Sequence, residues 1–98
     1  MGMIRRYDPQ FIKTLKKKDV RIRNSFKEKI AIFAKDPNDP VLNNHALRDE
    51  YEGYNSIDIT SDDRALYIEK STEEDTVAYF VILGTHDQLY GKDKKSES

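Results

Sequence analysis

The side chains of this sequence best suited to moving protons are its two histidines, His45 and His86. Both stand beside turn or strand-end residues rather than inside an apolar period. An imidazole titrates near neutrality, so it can accept or donate a proton without a large environmental shift. Asp58 lies on the polar side of the Ile57, Ile59 alternation, and Asp62 and Arg64 flank the turn that follows. A carboxylate, two imidazoles and a guanidinium suffice to cut RNA without a metal. One group takes the proton from a 2′-hydroxyl, another protonates the leaving 5′-oxygen, and the arginine stabilises the charge gathering on the phosphate. Each group also has an ordinary reading, since a surface Asp–Arg pair contributes little and loop histidines are common.

Other chemistries find less support. Cysteine is absent, which excludes a thiol nucleophile, a disulfide framework and a thiolate metal site. There is no Gly-rich phosphate loop, no zinc signature and no Gly-x-Ser-x-Gly elbow. Asp58, Asp62, Asp63 and Asp87 are candidate oxygen ligands for magnesium, but their spacing fits no calcium-loop pattern, and the expectation is a site with no metal and no cofactor.

The elements that must position these residues follow from the pattern of apolar positions. Ile4 to Tyr7 suits a short strand, ended by Asp8-Pro9, a cap followed by a proline at the first helical position. Phe11, Ile12 and Leu15 form one helical face, with a break at Lys18-Asp19. Ile22, Phe26, Ile30 and Phe33 then recur at helical spacing until Asp36-Pro37 stops the second helix. Pro37 to Asn44 carries turn chemistry and leads to His45-Ala46-Leu47. After Gly53 the period changes to two. A strand around Ile57 and Ile59, a turn at Ser61-Asp62-Asp63, a strand from Ala65 to Glu69, a charged turn from Ser71 to Asp75 and an apolar strand from Val77 to Leu83 follow in order. The expected fold class is α+β, with a helical hairpin on one face of a mainly antiparallel sheet of about four strands and the other face open to a ligand. Adjacent strands would bring Asp58, Arg64 and the strand end at His86 into one cleft, with the His45 loop at its rim. Residues 1–90 read as one domain with a modest core, and 91–98 as a polar tail expected to be disordered.

Net charge is −1, but it is unevenly spread: Met1 to Asp36 holds 11 Lys and Arg against 4 Asp and Glu, whereas Pro37 to Tyr90 holds 3 against 12. A basic first third can attract RNA phosphates even in a nearly neutral molecule, although a solvated helix face has the same composition. No stretch approaches the roughly 20 apolar residues of a membrane span, and the first residues lack a signal-peptide apolar run, so a cytoplasmic location with no membrane partner is expected.

The run His45-Ala-Leu, then Gly53-Tyr54, then Asp62-Asp63-Arg64-Ala-Leu-Tyr67, then Leu83-Gly84-Thr85-His86-Asp87-Gln88-Leu89-Tyr90 resembles the YafQ branch of RelE-type toxins. The likeness runs in order from Tyr7 to Tyr90, and its closing Gly-Thr-His-x-x-x-aromatic segment is the most specific part. It implies a RelE-like fold and the toxin of a type II toxin–antitoxin pair. Such a toxin enters the A site of the small ribosomal subunit and cuts bound mRNA, leaving a 2′,3′-cyclic phosphate, and its partner is a cognate antitoxin.

By position, the resemblance assigns His45, Asp62, His86 and Tyr90 to acid–base chemistry or substrate placement, and Arg64 to the scissile phosphate. It makes the basic helices, with Lys13, Lys16, Lys17, Lys18, Arg21 and Arg23, the surface for ribosomal RNA. Asp58 stands where the namesake toxin has a histidine, and Ser56 where it has an aspartate. A carboxylate cannot replace a protonated imidazole at neutral pH without a large upward pKa shift. Asp58 or Asp62 is therefore read as base and His86 as acid, with His45 assisting the base or holding phosphate. Tyr90 either stacks on a base, donates to phosphate or packs the chain end. Two rival functions share these features: a ParE-like toxin that inhibits gyrase, and a non-catalytic module that only binds an antitoxin.

Overall fold

A computed structural model describes residues 3–91. Strand β1 (Ile4–Tyr7) leads into helix α1 (Pro9–Lys17), whose start is fixed by Pro9 in the first turn and by the Asp8 carboxylate accepting the Gln10 N–H at 2.8 Å. The break comes at Lys18-Asp19, where Asp19 caps helix α2 (Val20–Lys35) by accepting the Ile22 N–H at 3.0 Å. Arg23 ties this corner together by donating to the Lys18 carbonyl oxygen at 2.6 Å.

The remaining strands are β2 (His45–Ala46), β3 (Asn55–Asp58), β4 (Asp63–Ser71) and β5 (Thr76–Thr85), in the sheet order β1-β5-β4-β3-β2. Only β1 and β5 run parallel; the other pairs are antiparallel. The α+β, mainly antiparallel expectation therefore holds, with five strands instead of four. The additional strand is His45–Ala46, which pairs with Ser56 and Asn55 and is too short for any periodicity to reveal. β5 lies inside the sheet between β1 and β4, as its apolar character on both faces requires.

Phe11, Phe26 and Phe33 of the helices bury against Tyr67, Phe80, Ile57 and Leu83 of the sheet. Phe33 meets Tyr67 and Phe80 edge-on, with ring centroids 5.1 and 5.4 Å apart. The opposite face is less open than expected. Leu66 and Leu89 are buried apart from this core, and the chain end, a single π-helical turn at Asp87–Gly91, brings Leu89 against Gly84 of β5. Residues 92–98, most of the expected polar tail, lie outside the described residues. No helix among the described residues is long and apolar enough to cross a membrane.

Candidate active site

Strand register decides which candidates share a face. Asp58 of β3 pairs with Arg64 of β4, and Arg64 with Gly84 of β5, so all three form one row across the sheet. Within that row Arg64 Nε lies 3.1 Å from Asp58 Oδ1. Arg64 Nη1 donates to the carbonyl oxygens of Thr60, Ser61 and Asp63 at 3.2 to 3.3 Å, while Nη2 has no partner among the described residues. The guanidinium is thus held at two corners and free at the third, an orientation suited to gripping a phosphate oxygen.

The turn beneath Arg64 is stiff. The Thr60 hydroxyl donates to Asp63 Oδ2 at 2.8 Å and accepts the N–H groups of Asp62 and Asp63. Ser25 and Lys29 of α2 both donate to the Ile59 carbonyl oxygen, at 2.7 and 3.1 Å. Asp62 projects from this turn with an exposed carboxylate, and its carbonyl oxygen accepts the backbone N–H of His86 at 2.9 Å. The Asp58–Arg64–Gly84 row and the Asp62–His86 backbone bond thus put Asp58, Asp62, Arg64 and His86 at one end of the sheet.

Each residue of the closing motif has a physical task. A Cβ at Gly84 would lie 3.3 Å from Gln88 Oε1 and 3.4 to 3.5 Å from the Leu89 side chain, so the chain end packs closely over this glycine and a larger residue would press on the Gln88 amide. Thr85 N–H donates to Gln88 Oε1 at 2.8 Å, and Gln88 N–H donates to Thr85 Oγ1 at 3.1 Å, a reciprocal cap that closes the turn around His86. His86 and Tyr90, four residues apart, bring their rings to 4.9 Å. Burial raises the Tyr90 phenol above its ordinary pKa, as does nearby Tyr51, while the Arg64 charge opposes the shift. Tyr90 is accordingly a neutral hydrogen-bond donor at physiological pH.

His45 stands apart. It pairs with Ser56, two strands from Arg64 and two rows along, about 12 Å away at ordinary strand spacings. Two whole strands, β3 and β4, separate it from β5 and the His86 end. Its Nδ1 lies 2.8 Å from the Asn43 carbonyl oxygen, which can only accept, so Nδ1 carries the proton and Nε2 faces outward.

Two of the six basic residues have internal partners. Lys18 Nζ lies 3.3 Å from Oδ1 of Asp63, with side chains 19% and 6% exposed. Arg23 is bound to the Lys18 carbonyl oxygen. Both are half-buried and tied into the fold, whereas Lys13, Lys16, Lys17 and Arg21 are exposed. Sequence reasoning missed the Asp63 partnership, since the adjacent aspartates 62 and 63 look equivalent until strand alternation sends one inward. A cleft of about 460 Å³ between α2 and the β3–β4 turn is lined by Arg21, Ser25, Asp62 and Thr85, so the basic helix surface borders the Asp62 end of the site. No group of three or more His, Cys, Asp or Glu side chains among the described residues is arranged to hold a metal ion.

Comparison with solved structures finds this arrangement of elements elsewhere. YafQ from E. coli strain BL21(DE3) superposes with a TM-score of 0.71 at 22% identity, covering 91% of this chain and 99% of that one. The chain has the RelE-type toxin fold. The RelBE2 toxin–antitoxin complex from Mycobacterium tuberculosis matches with a TM-score of 0.69 at 21% identity, over 88% of this chain and 100% of the other. The YoeB/ParE toxin from Agrobacterium tumefaciens matches with a TM-score of 0.69 at 16% identity, over 86% and 99%. No family model and no curated sequence matches the chain. The likeness is therefore one of fold, and the RelE-type fold here carries its Asp62, Arg64, His86 and Tyr90 at one end of the sheet.

Proposed function

We propose that this protein is the toxin of a type II toxin–antitoxin pair and acts as a ribosome-dependent endoribonuclease on mRNA. The observation that carries the reading is the meeting of Asp62, Arg64, His86 and Tyr90 at one sheet end, in a fold shared with toxins. Arg64 Nη2 holds a non-bridging oxygen of the scissile phosphate. The Asp62 carboxylate takes the 2′-hydroxyl proton while the 2′-oxygen attacks phosphorus. The P–O5′ bond breaks, and His86 gives its proton to the departing oxygen, leaving a 2′,3′-cyclic phosphate. Asp62 is preferred over Asp58 as base because Asp58 is already engaged by Arg64. His45, two rows and two strands away, suits a flanking phosphate better than the reacting one.

Lys13, Lys16, Lys17 and Arg21 supply the surface for ribosomal RNA, which neutralises phosphates without reading sequence. The RelBE2 structure, solved as a toxin–antitoxin complex, supports a protein antitoxin as partner. A cytoplasmic location follows from a ribosomal target.

The test compares wild type with His86→Ala in a purified translation system, mapping 5′ ends of a ribosome-bound message by primer extension. Cuts made by wild type and absent in the variant are expected. Intact message with wild type would overturn the nuclease reading and favour gyrase inhibition, the reading to which the YoeB/ParE likeness lends support, or a purely antitoxin-binding role.

A further inference from the structure

Tyr51 lies outside the catalytic row yet touches the aromatic pair that ends it. Its ring meets Tyr54 at 6.3 Å and Tyr90 at 5.8 Å, both at 86°, the edge-to-face geometry in which a positive ring edge faces a negative ring face. Tyr90 in turn meets His86 at 4.9 Å. Tyr54, Tyr51, Tyr90 and His86 therefore form a continuous row of rings from the β2–β3 connection to the end of β5.

The loop carrying Tyr51 is built to hold it still. Its base is closed by the Leu47 N–H donating to the Tyr54 carbonyl oxygen at 2.9 Å. Inside it, the N–H groups of Tyr51, Glu52 and Tyr54 donate to the carbonyl oxygens of Arg48, Asp49 and Tyr51 at 3.0 to 3.2 Å. Asp49 sits at φ 59° and Gly53 at φ 96°. A left-handed residue with a side chain is uncommon and persists where its surroundings fix it, often near functional sites.

The His86 imidazole, by contrast, has no hydrogen-bond partner among the described residues. Its ring lies 4.9 Å from that of Tyr90, which stands on a terminal turn anchored by Leu89 and the Thr85–Gln88 cap. Tyr90 thus has two ring neighbours, the exposed His86 and Tyr51, whose loop is closed by main-chain bonds.

We propose that Tyr51 is a positioning residue whose ring fixes Tyr90 and, through it, the His86 imidazole beside Arg64. The proposal rests on the nuclease reading of this site. Misplacing a catalytic group by about 1 Å can cost on the order of 100-fold in rate, so loss of the Tyr51 ring should act on turnover and not on binding.

Two readouts test it on the full chain. In the ribosomal cleavage assay, Tyr51→Leu, which keeps apolar bulk without an aromatic ring, should lower kcat at least 10-fold with KM unchanged, and Tyr51→Phe should restore it. Independently of any activity, the His86 ring protons should shift in the NMR spectrum of Tyr51→Leu and stay in place in Tyr51→Phe, with His45 as internal control. Wild-type kcat in Tyr51→Leu, or equal loss in Tyr51→Phe, would overturn the proposal. So would unmoved His86 resonances in Tyr51→Leu. If wild type cuts no message, the nuclease reading fails, and the NMR result still decides whether Tyr51 governs His86.

Discussion

His86 donates its backbone N–H to the carbonyl oxygen of Asp62 at 2.9 Å, which locks the end of β5 to the turn before β4. The bond is between main chains, so it fixes the spacing of two side chains that lie 24 positions apart in sequence without using either of them. It leaves the Asp62 carboxylate and the His86 imidazole both exposed and both available for proton transfer.

Because that bond is independent of the carboxylate, Asp62→Asn separates chemistry from structure. The amide is close in shape but cannot serve as a base. Cleavage of ribosome-bound message should fall by about 100-fold or more, the usual worth of a positioned base, while the thermal midpoint stays within about 1 °C of wild type. Primer extension and a circular dichroism melt on one preparation check both halves. Full activity in Asp62→Asn would move the base to another group, with Asp58 the next to test.

Arg64→Lys keeps the charge and removes the fork. The guanidinium is held by Asp58 at one nitrogen and by three carbonyl oxygens at another, which an ammonium on a flexible stem cannot reproduce. Single-turnover cleavage should drop about 100-fold, in the range seen when one transition-state donor is removed. A lysine variant that cleaves like wild type would mean that charge alone matters at this position.

The helices and long strands could be read from the sequence because their apolar residues recur with the helical or strand period, and because Asp8-Pro9, Asp19 and Asp36-Pro37 punctuate them. Burial then makes the period binding: Phe26 and Phe33 must share a face. What could not be read depends on contacts distant in sequence. The strand His45–Ala46 exists only because β3 pairs with it. Lys18 looks like its exposed neighbours Lys16 and Lys17 until the fold brings Asp63, 45 positions later, against it. His45 and His86 suggested a catalytic pair by type, and only the sheet order places two strands between them. Thr85 was legible as part of the closing segment, but its reciprocal cap with Gln88 shows only once the turn forms.

Lys18 and its neighbours should respond differently to alanine. Replacing Lys13, Lys16, Lys17 or Arg21 should leave stability unchanged and lower the slope of log affinity against log salt by about 0.7 to 0.9 for each phosphate no longer neutralised. Lys18→Ala instead strands a buried carboxylate, Asp63 being 4% exposed, and breaking such a pair costs about 3 kcal/mol. Urea unfolding and salt-dependent binding to ribosomes distinguish the two classes. A Lys18→Ala protein as stable as wild type would show that Asp63 is satisfied by other means.

Alkaline stability provides a test of the core that involves no RNA. Burial raises the Tyr67 phenol above its ordinary value of 10.0, Glu69 adds to the shift, and the hydrogen bond from Asn44 Nδ2, at 2.7 Å, opposes it. Tyr7 is raised mainly by burial as well, with Arg5 opposing. A group that holds its proton more tightly when folded contributes stability that is fully present below its unfolded pKa. That contribution is lost as pH rises through the folded pKa. The urea midpoint should therefore be level with respect to these two groups up to about pH 9 and fall above about pH 10 as the unfolded chain ionises first. Tyr67→Phe removes one of the titrating groups and should make that fall shallower, although loss of the Asn44 bond lowers the midpoint at pH 7 by an amount equivalent to about 1 kcal/mol. An alkaline fall of unchanged steepness in Tyr67→Phe would place the responsible phenol elsewhere, with Tyr7→Phe as the next variant to measure.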